Sequence, residues 1–313
     1  MENVKRLEEI VSVMQRKTPK DIDLVSRAYA FSEQAHHGQK RYSGDPYFIH
    51  VAAVGYTLAE MGMDSSTIAA GLLHDTVEDV GVLTEDLAKD FGPEVSFMVD
   101  GVTKLGKLKY RGADRHAESL RKLFVSTAKD LRVIIIKLAD RLYNVSTLKY
   151  VPKEKQQRIA LETLQIYAPI ANRLSIGAIK GQLEDYSFPF AYPEEYEKVQ
   201  SILREKSLDS EKRLEKFYRG IHVKLVENGI ANVRGEFRIK RTYSLYKKLL
   251  RYDMDINRIH DISAIRIIVP SIADCYHALG VIHGAFRPLP GRIKDYIAFP
   301  KPNGYQSLHT TVF

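Results

Sequence analysis

Four side chains able to ligate a cation stand out in the chain: His50, the adjacent pair His74-Asp75, and Asp140. His74 and Asp75 close the apolar run Gly71-Leu72-Leu73, where a carboxylate without a partner is costly to bury. His50 lies in an apolar stretch upstream, and Asp140 lies in Lys137-Leu138-Ala139-Asp140-Arg141-Leu142. Two imidazoles and two carboxylates from separate helices can converge on one ion inside a bundle. That donor set suits Mn²⁺, Mg²⁺ or Fe²⁺ better than a thiol-seeking metal. An ion so held lowers the pKa of water and polarises a phosphoryl oxygen. Glu78 would stand one helical turn beyond His74 if the helix continued; with its neighbour Asp79 it is a candidate to orient or deprotonate the attacking water. Singly, each residue has an ordinary reading: a chance His-Asp pair, a surface ion pair at Asp140-Arg141, solvated acids at Glu78-Asp79. Together they point to metal-dependent hydrolysis.

Helices must carry these groups if they are to meet. Apolar positions recurring at three and four predict helices over Asp21 to His37, Phe48 to Met61, Ser65 to Asp75, Arg115 to Lys129, Asp130 to Leu148 and Lys153 to Ala168, with Gly38 and Gly62 as stops. Val133 to Ile136 looks strand-like in isolation, but its flanking periodicity predicts a buried helix. One long helix, or two, is expected from Tyr192-Pro193 to Asn228-Gly229. Beyond it Val233 to Lys240, His260 to Val269, Arg292 to Phe299 and Tyr305 to Phe313 read as strands, and Tyr243 to Tyr252 and Ile272 to Phe286 as helices. The expected architecture is multidomain: an all-α domain over 1–190, a connecting helix over 191–230 and a small α/β domain over 231–313.

Composition narrows the class. The 313 residues are 44% hydrophobic and 27% charged, as in a folded globular protein. A single cysteine, Cys275, excludes a disulfide framework and a Cys-rich zinc module and suggests a reducing compartment, so the cytoplasm is expected. No apolar run is long enough for a membrane span, and MENVKRLEEI has no apolar signal-peptide region. Charge divides unevenly: residues 1–200 hold 27 Lys+Arg against 28 Asp+Glu, whereas 201–313 hold 20 against 11. In that basic part Arg238, Lys240, Lys248, Lys294 and Lys301 interleave with Tyr243, Tyr246, Tyr296, Tyr305 and His309. Point charges bind phosphates and rings stack on bases, so the mixture suits nucleotides or RNA. Asp261, opening a predicted strand beside basic residues, is a candidate Mg²⁺ ligand.

The order His50, His74-Asp75, Asp140 resembles the HD-domain phosphohydrolases. The finer text is similar to the RelA/SpoT family of alarmone enzymes: Arg41-Tyr42-Ser43-Gly44-Asp45-Pro46-Tyr47-Phe48-Ile49-His50, His74-Asp75-Thr76-Val77-Glu78-Asp79 and Lys137-Leu138-Ala139-Asp140-Arg141-Leu142-Tyr143-Asn144. The resemblance implies hydrolysis of ppGpp or pppGpp at the 3′-pyrophosphate with Mn²⁺ as cofactor, giving GDP or GTP and pyrophosphate. It implies His50, His74, Asp75 and Asp140 as ligands, Glu78 and Asp79 as catalytic acids, and Arg41, Ser43 and Asn144 as contacts to the guanosine part. Tyr42 departs from the pattern, standing where many relatives carry a basic residue; its ring can stack, but a cationic contact is lost.

His260-Asp261-Ile262-Ser263-Ala264-Ile265-Arg266 and the stretch from Gly291 to Thr311 resemble the family's synthetase domain, a nucleotidyltransferase-like fold that transfers pyrophosphate from ATP to GDP or GTP. The resemblance implies Mg²⁺ on Asp261, Tyr305 stacked on the acceptor guanine, and nucleotide contacts from Arg238, Lys240, Lys248, Lys294, Lys301, Asn303 and His309. Arg292-Ile293-Lys294-Asp295 matches the basic version of a short motif associated with bifunctional members. In the family a further strand, after the position of Phe313, supplies a catalytic Glu, so hydrolysis with little or no synthesis is expected of this chain. No stable nucleic-acid complex and no membrane partner are expected, and the oligomeric state is left open. Two other readings stand beside this one: an HD phosphohydrolase acting on another nucleotide, and a regulatory module sensing guanine nucleotides or RNA.

Overall fold

A computed structural model describes residues 4–106, 129–239, 241–259, 263–301 and 304–313. The chain divides into two compact units, Met1–Ala191 and Tyr192–Phe313. The helix expected over Arg115 to Lys129 lies almost wholly outside the described residues.

The first unit is helical throughout its described residues: α1 (Leu7–Val13), α2 (Pro19–Ala35), α3 (Phe48–Glu60), α4 (Ser65–Leu73), α5 (Thr84–Phe91), α6 (Pro93–Gly106), α7 (Arg132–Ser146), α8 (Lys153–Glu162), α9 (Ala168–Arg173) and α10 (Gly177–Ala191). Local chemistry sets several starts. Thr18 and Asp21 form a reciprocal capping box ahead of Pro19, and Asp64 accepts from Thr67 N at 2.7 Å to cap α4. Val133 to Ile136 sits inside α7, buried or half-buried, as the flanking periodicity predicts.

Two π-helical turns depart from the expected pattern. The helix expected over Ser65 to Asp75 ends at Leu73 as α4, and a π turn over Thr76–Val80 follows it, closed by Gly81 at φ +80°. Glu78 is therefore not on a continuing α-helix one turn beyond His74. Thr76 directs its hydroxyl back to the carbonyl of Leu73 at 2.7 Å, a side-chain bond at the point where the α-helical ladder gives way. The helix expected over Lys153 to Ala168 is interrupted by a π turn, Thr163–Tyr167, between α8 and α9. Such turns widen a helix by one residue and re-aim the side chains after it.

Helices α3 and α4 pack on each other and are buried on almost every side, Phe48 to Ala52, Val54, Gly55, Leu58 and Ala59 in the first and Thr67 to Leu73 in the second. Their close approach depends on glycine. A Cβ on Gly55 would lie 2.7 Å from Leu72 Cδ2 and 2.9 Å from Cγ, and one on Gly71 would collide with Leu58 Cδ1. Helices α2, α6 and α7 pack around this pair.

In the second unit α11 (Pro193–Glu227) is one unbroken helix, ended by Asn228 and by Gly229 at φ +81°. Its last turns belong to a small core in which Ile221 and Leu225 meet Ile230 and Ala278. Strands β1 (Arg234–Ile239) and β2 (Ser263–Ile268) pair antiparallel, Arg234 opposite Ile268 and Ile239 opposite Ser263. Helices α12 (Thr242–Arg251) and α13 (Ile272–Ala285) match the expected ones within a residue. The strands expected over Arg292 to Phe299 and Tyr305 to Phe313 shrink to β3 (Lys294–Asp295) and β4 (Leu308–His309), with an isolated bridge between Pro288 and Val312. Asp295 accounts for the first shortening: its carboxylate accepts from Ile297 N at 2.9 Å and Ala298 N at 2.8 Å, turning the backbone out of the ladder.

The α3–α4 contact yields a stability test. Gly55→Val forces Leu72 from its place and is expected to destabilise the protein by about 1–3 kcal/mol in urea unfolding. Adding Leu72→Ala should recover part of that loss, so the pair should be non-additive.

Candidate metal centre

The first turn of α3, the C-terminal end of α4 and the middle of α7 bring His50, His74 and Asp140 together in the core, with ligand atoms within 4.8 Å of one another. His50 and His74 are 1% exposed and Asp140 is 3% exposed. His50 Nε2 lies 3.3 Å from Asp140 Oδ1 and 3.4 Å from Asp75 Oδ2. His74 Nε2 lies 3.1 Å from Asp75 Oδ2 and 3.8 Å from Asp140 Oδ1.

Two features of these imidazoles fit a cation. His74 Nδ1 donates to the carbonyl of Gly71 at 2.8 Å, which fixes the ring and turns Nε2 inward. Nε2 of His74, beside Asp75 and Asp140, is buried without a hydrogen bond of good geometry, and His50 Nε2 faces the same two carboxylates. A buried nitrogen so placed fits a ligand set, and nitrogen with oxygen suits a hard or borderline divalent ion.

Each carboxylate has a neighbour that holds it. Lys137, one helical turn before Asp140, donates to Asp140 Oδ2 at 2.6 Å, while Asn144 Nδ2 donates to Oδ1 at 2.5 Å. Oδ1 thus remains directed at the histidines. The Tyr47 hydroxyl donates to Asp75 Oδ2 at 2.7 Å, and its ring stacks on His36 with centroids 4.9 Å apart. Tyr143 places its ring 4.9 Å from that of His50.

The electrostatics follow from burial and opposite charge. Burial opposes the charge on His74, but Asp75 and Asp140 outweigh it and raise its pKa to about 10. Burial likewise opposes the charges on Asp75 and Asp140; His74 for the first, and Lys137 for the second, lead the groups that hold both carboxyls well below the usual range. Burial also opposes the Lys137 ammonium, yet Asp140 carries its pKa up to about 12. Arg141 is no surface partner of Asp140: it is half-buried, bonds to Glu162 at 2.8 Å and lies over the Tyr167 ring at 4.2 Å.

Glu78 and Asp79 lie on the exposed π turn after Asp75, and the Asp79 carboxylate acts on the Tyr47 hydroxyl that also binds Asp75. Arg41 donates to Asn144 Oδ1 at 2.6 Å, so Asn144 joins the 40–46 loop to Asp140. That loop folds tightly, with Gly44 at φ +85° and Lys40 bridged to Pro46; Ser43 Oγ accepts from Asp45 N at 3.4 Å. Tyr42 projects from it, 64% exposed. Sequence reasoning did not single out Lys137 or Tyr47 as functional, although both stand three residues before a proposed ligand, Asp140 and His50, within quoted motifs.

In the second unit the β3–β4 pairing sets Lys294 opposite His309. Lys301 Nζ lies 4.5 Å from the Tyr296 ring centre and 4.9 Å from that of Tyr305, whose hydroxyl shares a 3.0 Å hydrogen bond with His309 Nε2. Lys248 lies on α12, half-buried, and Arg238 on β1. Lys240, Asp261 and Asn303 lie outside the described residues.

Comparison with known proteins agrees with both units. Residues 28–177 match the family described as HD domain, and residues 237–313 match the region found in RelA / SpoT proteins. A protein of Myxococcus xanthus named GTP pyrophosphokinase is 46% identical over 306 residues, covering 96% of this chain and 40% of that protein. One of Aquifex aeolicus, named guanosine-3′,5′-bis(diphosphate) 3′-pyrophosphohydrolase, is 46% identical over 306 residues, covering 98% and 44%. A solved structure titled "A metazoan ortholog of SpoT hydrolyzes ppGpp and plays a role in starvation responses" aligns with a TM-score of 0.38 and 24% identity, over 62% of this chain and 99% of that one. The chain spans about two fifths of the length of these curated relatives. An HD-class helical domain followed by a RelA/SpoT region is the arrangement these matches describe. The chain belongs to the RelA/SpoT family. Among the described residues, no helix is long and apolar enough to cross a membrane.

Two tests follow. His74 is protonated at neutral pH in the metal-free protein, whereas a ligand nitrogen must be neutral, so a divalent ion has to displace a proton. Titration calorimetry near pH 7 in buffers of different ionisation enthalpy should report about one proton released per ion, with affinity rising as pH approaches the raised His74 pKa. Lys137→Met leaves the Asp140 carboxylate buried without its counter-charge and is expected to cost about 3–5 kcal/mol in metal-free unfolding, with saturating divalent metal restoring part of it.

Proposed function

We propose that residues 1–190 form a metal-dependent (p)ppGpp 3′-pyrophosphohydrolase, with 191–230 as a connecting helix and 231–313 as part of a synthetase region. The observation that carries this reading is the buried group of His50, His74 and Asp140, in which both imidazoles turn Nε2 to the carboxylates. The name of the Aquifex aeolicus relative supplies the substrate class.

His50, His74, Asp75 and Asp140 would hold the ion, and Mn²⁺ is the cofactor that the resemblance implies. Such an ion, when bound, supplies Lewis-acid polarisation of a phosphoryl oxygen and acidifies water. Lys137 and Asn144 keep Asp140 Oδ1 turned inward, and the Tyr47 hydroxyl fixes Asp75. Glu78 and Asp79, exposed beside this cluster, accept the proton of the attacking water. The water oxygen bonds to the 3′-linked phosphorus, the bond to the 3′-oxygen breaks, and pyrophosphate leaves with GDP or GTP as the other product. Arg41, Tyr42, Ser43 and Asn144 bind the guanosine part.

A second reading concerns the second unit: Lys301, Tyr296, Tyr305 and His309 present cations and rings together, which suits a nucleotide. Pyrophosphate transfer from ATP to GDP or GTP there would use Mg²⁺ on Asp261. Labelled ppGpp with Mn²⁺, and ATP with GDP and Mg²⁺, assayed on one preparation, test both readings. Hydrolysis abolished by chelator is expected. The double variant His74→Ala/Asp75→Ala should lower it by more than the roughly 10–100-fold that loss of an outer-sphere partner costs. Undiminished turnover by that variant would remove the site assignment. Binding of GDP without transfer would leave the second unit a nucleotide-recognition role.

A further inference from the structure

We propose that Lys155, held by Tyr42, forms a phosphate subsite for the diphosphate that is not cleaved, the one on the nucleotide 5′-oxygen. This inference rests on the hydrolase reading above. A bis-diphosphate brings two polyanionic groups to one site. The 3′ group is drawn to the cation cluster, whose surroundings include Asp75, Asp140, Glu78 and Asp79. A second diphosphate placed among those carboxylates would be repelled, so it needs positive charge on another side of the nucleotide.

Nearby cations are unequally available. Lys137 is committed to Asp140 and Arg141 to Glu162. Arg41 is turned inward to Asn144, between the Tyr47 and Tyr143 rings at 5.5 and 5.2 Å. Lys155 differs: it is exposed on the first turns of α8, and no carboxylate pairs with it among the described residues. Its ammonium donates to the Tyr42 hydroxyl at 3.2 Å and lies 5.6 Å from that ring's centre. An ammonium has three donors, and a neutral phenol occupies one of them.

The contact also ties Lys155 to the site. Tyr42 directly follows Arg41, which binds Asn144, which binds Asp140. A flexible side chain from α8, 113 residues distant in sequence, is thereby held at the outer edge of the loop whose inner edge reaches the metal centre. The contact restores positive charge at Tyr42, where the sequence itself offers a neutral ring.

The test compares ppGpp with guanosine 3′-diphosphate, which lacks the 5′ phosphates, by equilibrium dialysis against chelator-treated protein, and by kinetics with Mn²⁺. Lys155→Met is expected to weaken ppGpp binding about tenfold and to raise its KM with kcat nearly unchanged, while guanosine 3′-diphosphate is unaffected. Lys155→Arg should retain the preference, and Tyr42→Phe should lose part of it. Equal effects of Lys155→Met on both nucleotides, or none on either, would overturn the subsite. A wild-type protein that binds ppGpp with this Lys155-dependent preference yet never hydrolyses it would overturn the hydrolase reading and leave the subsite standing.

Discussion

The Asp140 carboxylate is the contact on which the first unit's site depends. Burying a carboxylate is costly, and here one oxygen is neutralised by Lys137 while the other accepts from Asn144 and faces two imidazoles. Every member of that group needs the others. Lys137 leads the groups that hold the Asp140 carboxyl below the usual range, and Asp75 and Asp140 in turn raise the pKa of His74 against the effect of burial. The group joins α3, α4 and α7, so the polar centre and the apolar core are stabilised by the same packing. Gly55 and Gly71 permit it by letting the helices that carry His50 and His74 come close.

Helix irregularity does the remaining positioning. The π turn Thr76–Val80 starts immediately after Asp75 and carries Glu78 and Asp79 to solvent, so two acids sit outside while His74 and Asp75 stay against the core. An uninterrupted α-helix would have stacked Glu78 directly over His74. A second π turn, Thr163–Tyr167, places Tyr167 against Arg141, which reaches back to Glu162. Both irregularities lie beside charged groups withdrawn from full exposure, Asp75 at the first and Arg141 with Glu162 at the second.

Much of this was legible in the chain. His50, His74-Asp75 and Asp140 are polar residues in apolar helical runs, and the cost of burying them implies a shared partner. The helices carrying them are long, periodic segments, where sequence patterns are most informative. The π turns were not legible, because one extra residue per turn leaves no mark on composition. The strands near Lys294 and Leu308 were overextended because alternation in Arg292 to Phe299 and Tyr305 to Phe313 resembles pairing, while Asp295 spends its carboxylate on a turn. Lys155 was invisible for a different reason: its meeting with Tyr42 is purely tertiary.

The division of charge along the chain can now be related to chemistry. The first 200 residues are close to neutral in sum, yet six of their acids, Asp75, Glu78, Asp79, Glu85, Asp86 and Asp90, fall within sixteen positions that hold a single lysine, Lys89. The segment that contains Asp75 is thus locally acidic, and such charge repels a polyphosphate. In the proposed reading a divalent ion would offset that charge at the cluster, and Lys155, brought to the 40–46 loop by Tyr42, would add a cation from another element. Near-neutrality over this half therefore hides an uneven distribution, with Glu78 and Asp79 on the π turn, Glu85, Asp86 and Asp90 on α5, and Lys155 brought to the 40–46 loop from α8. The basic excess after residue 200 has no such acidic centre to balance among the described residues, and its lysines and rings at β3 and β4 face one another instead.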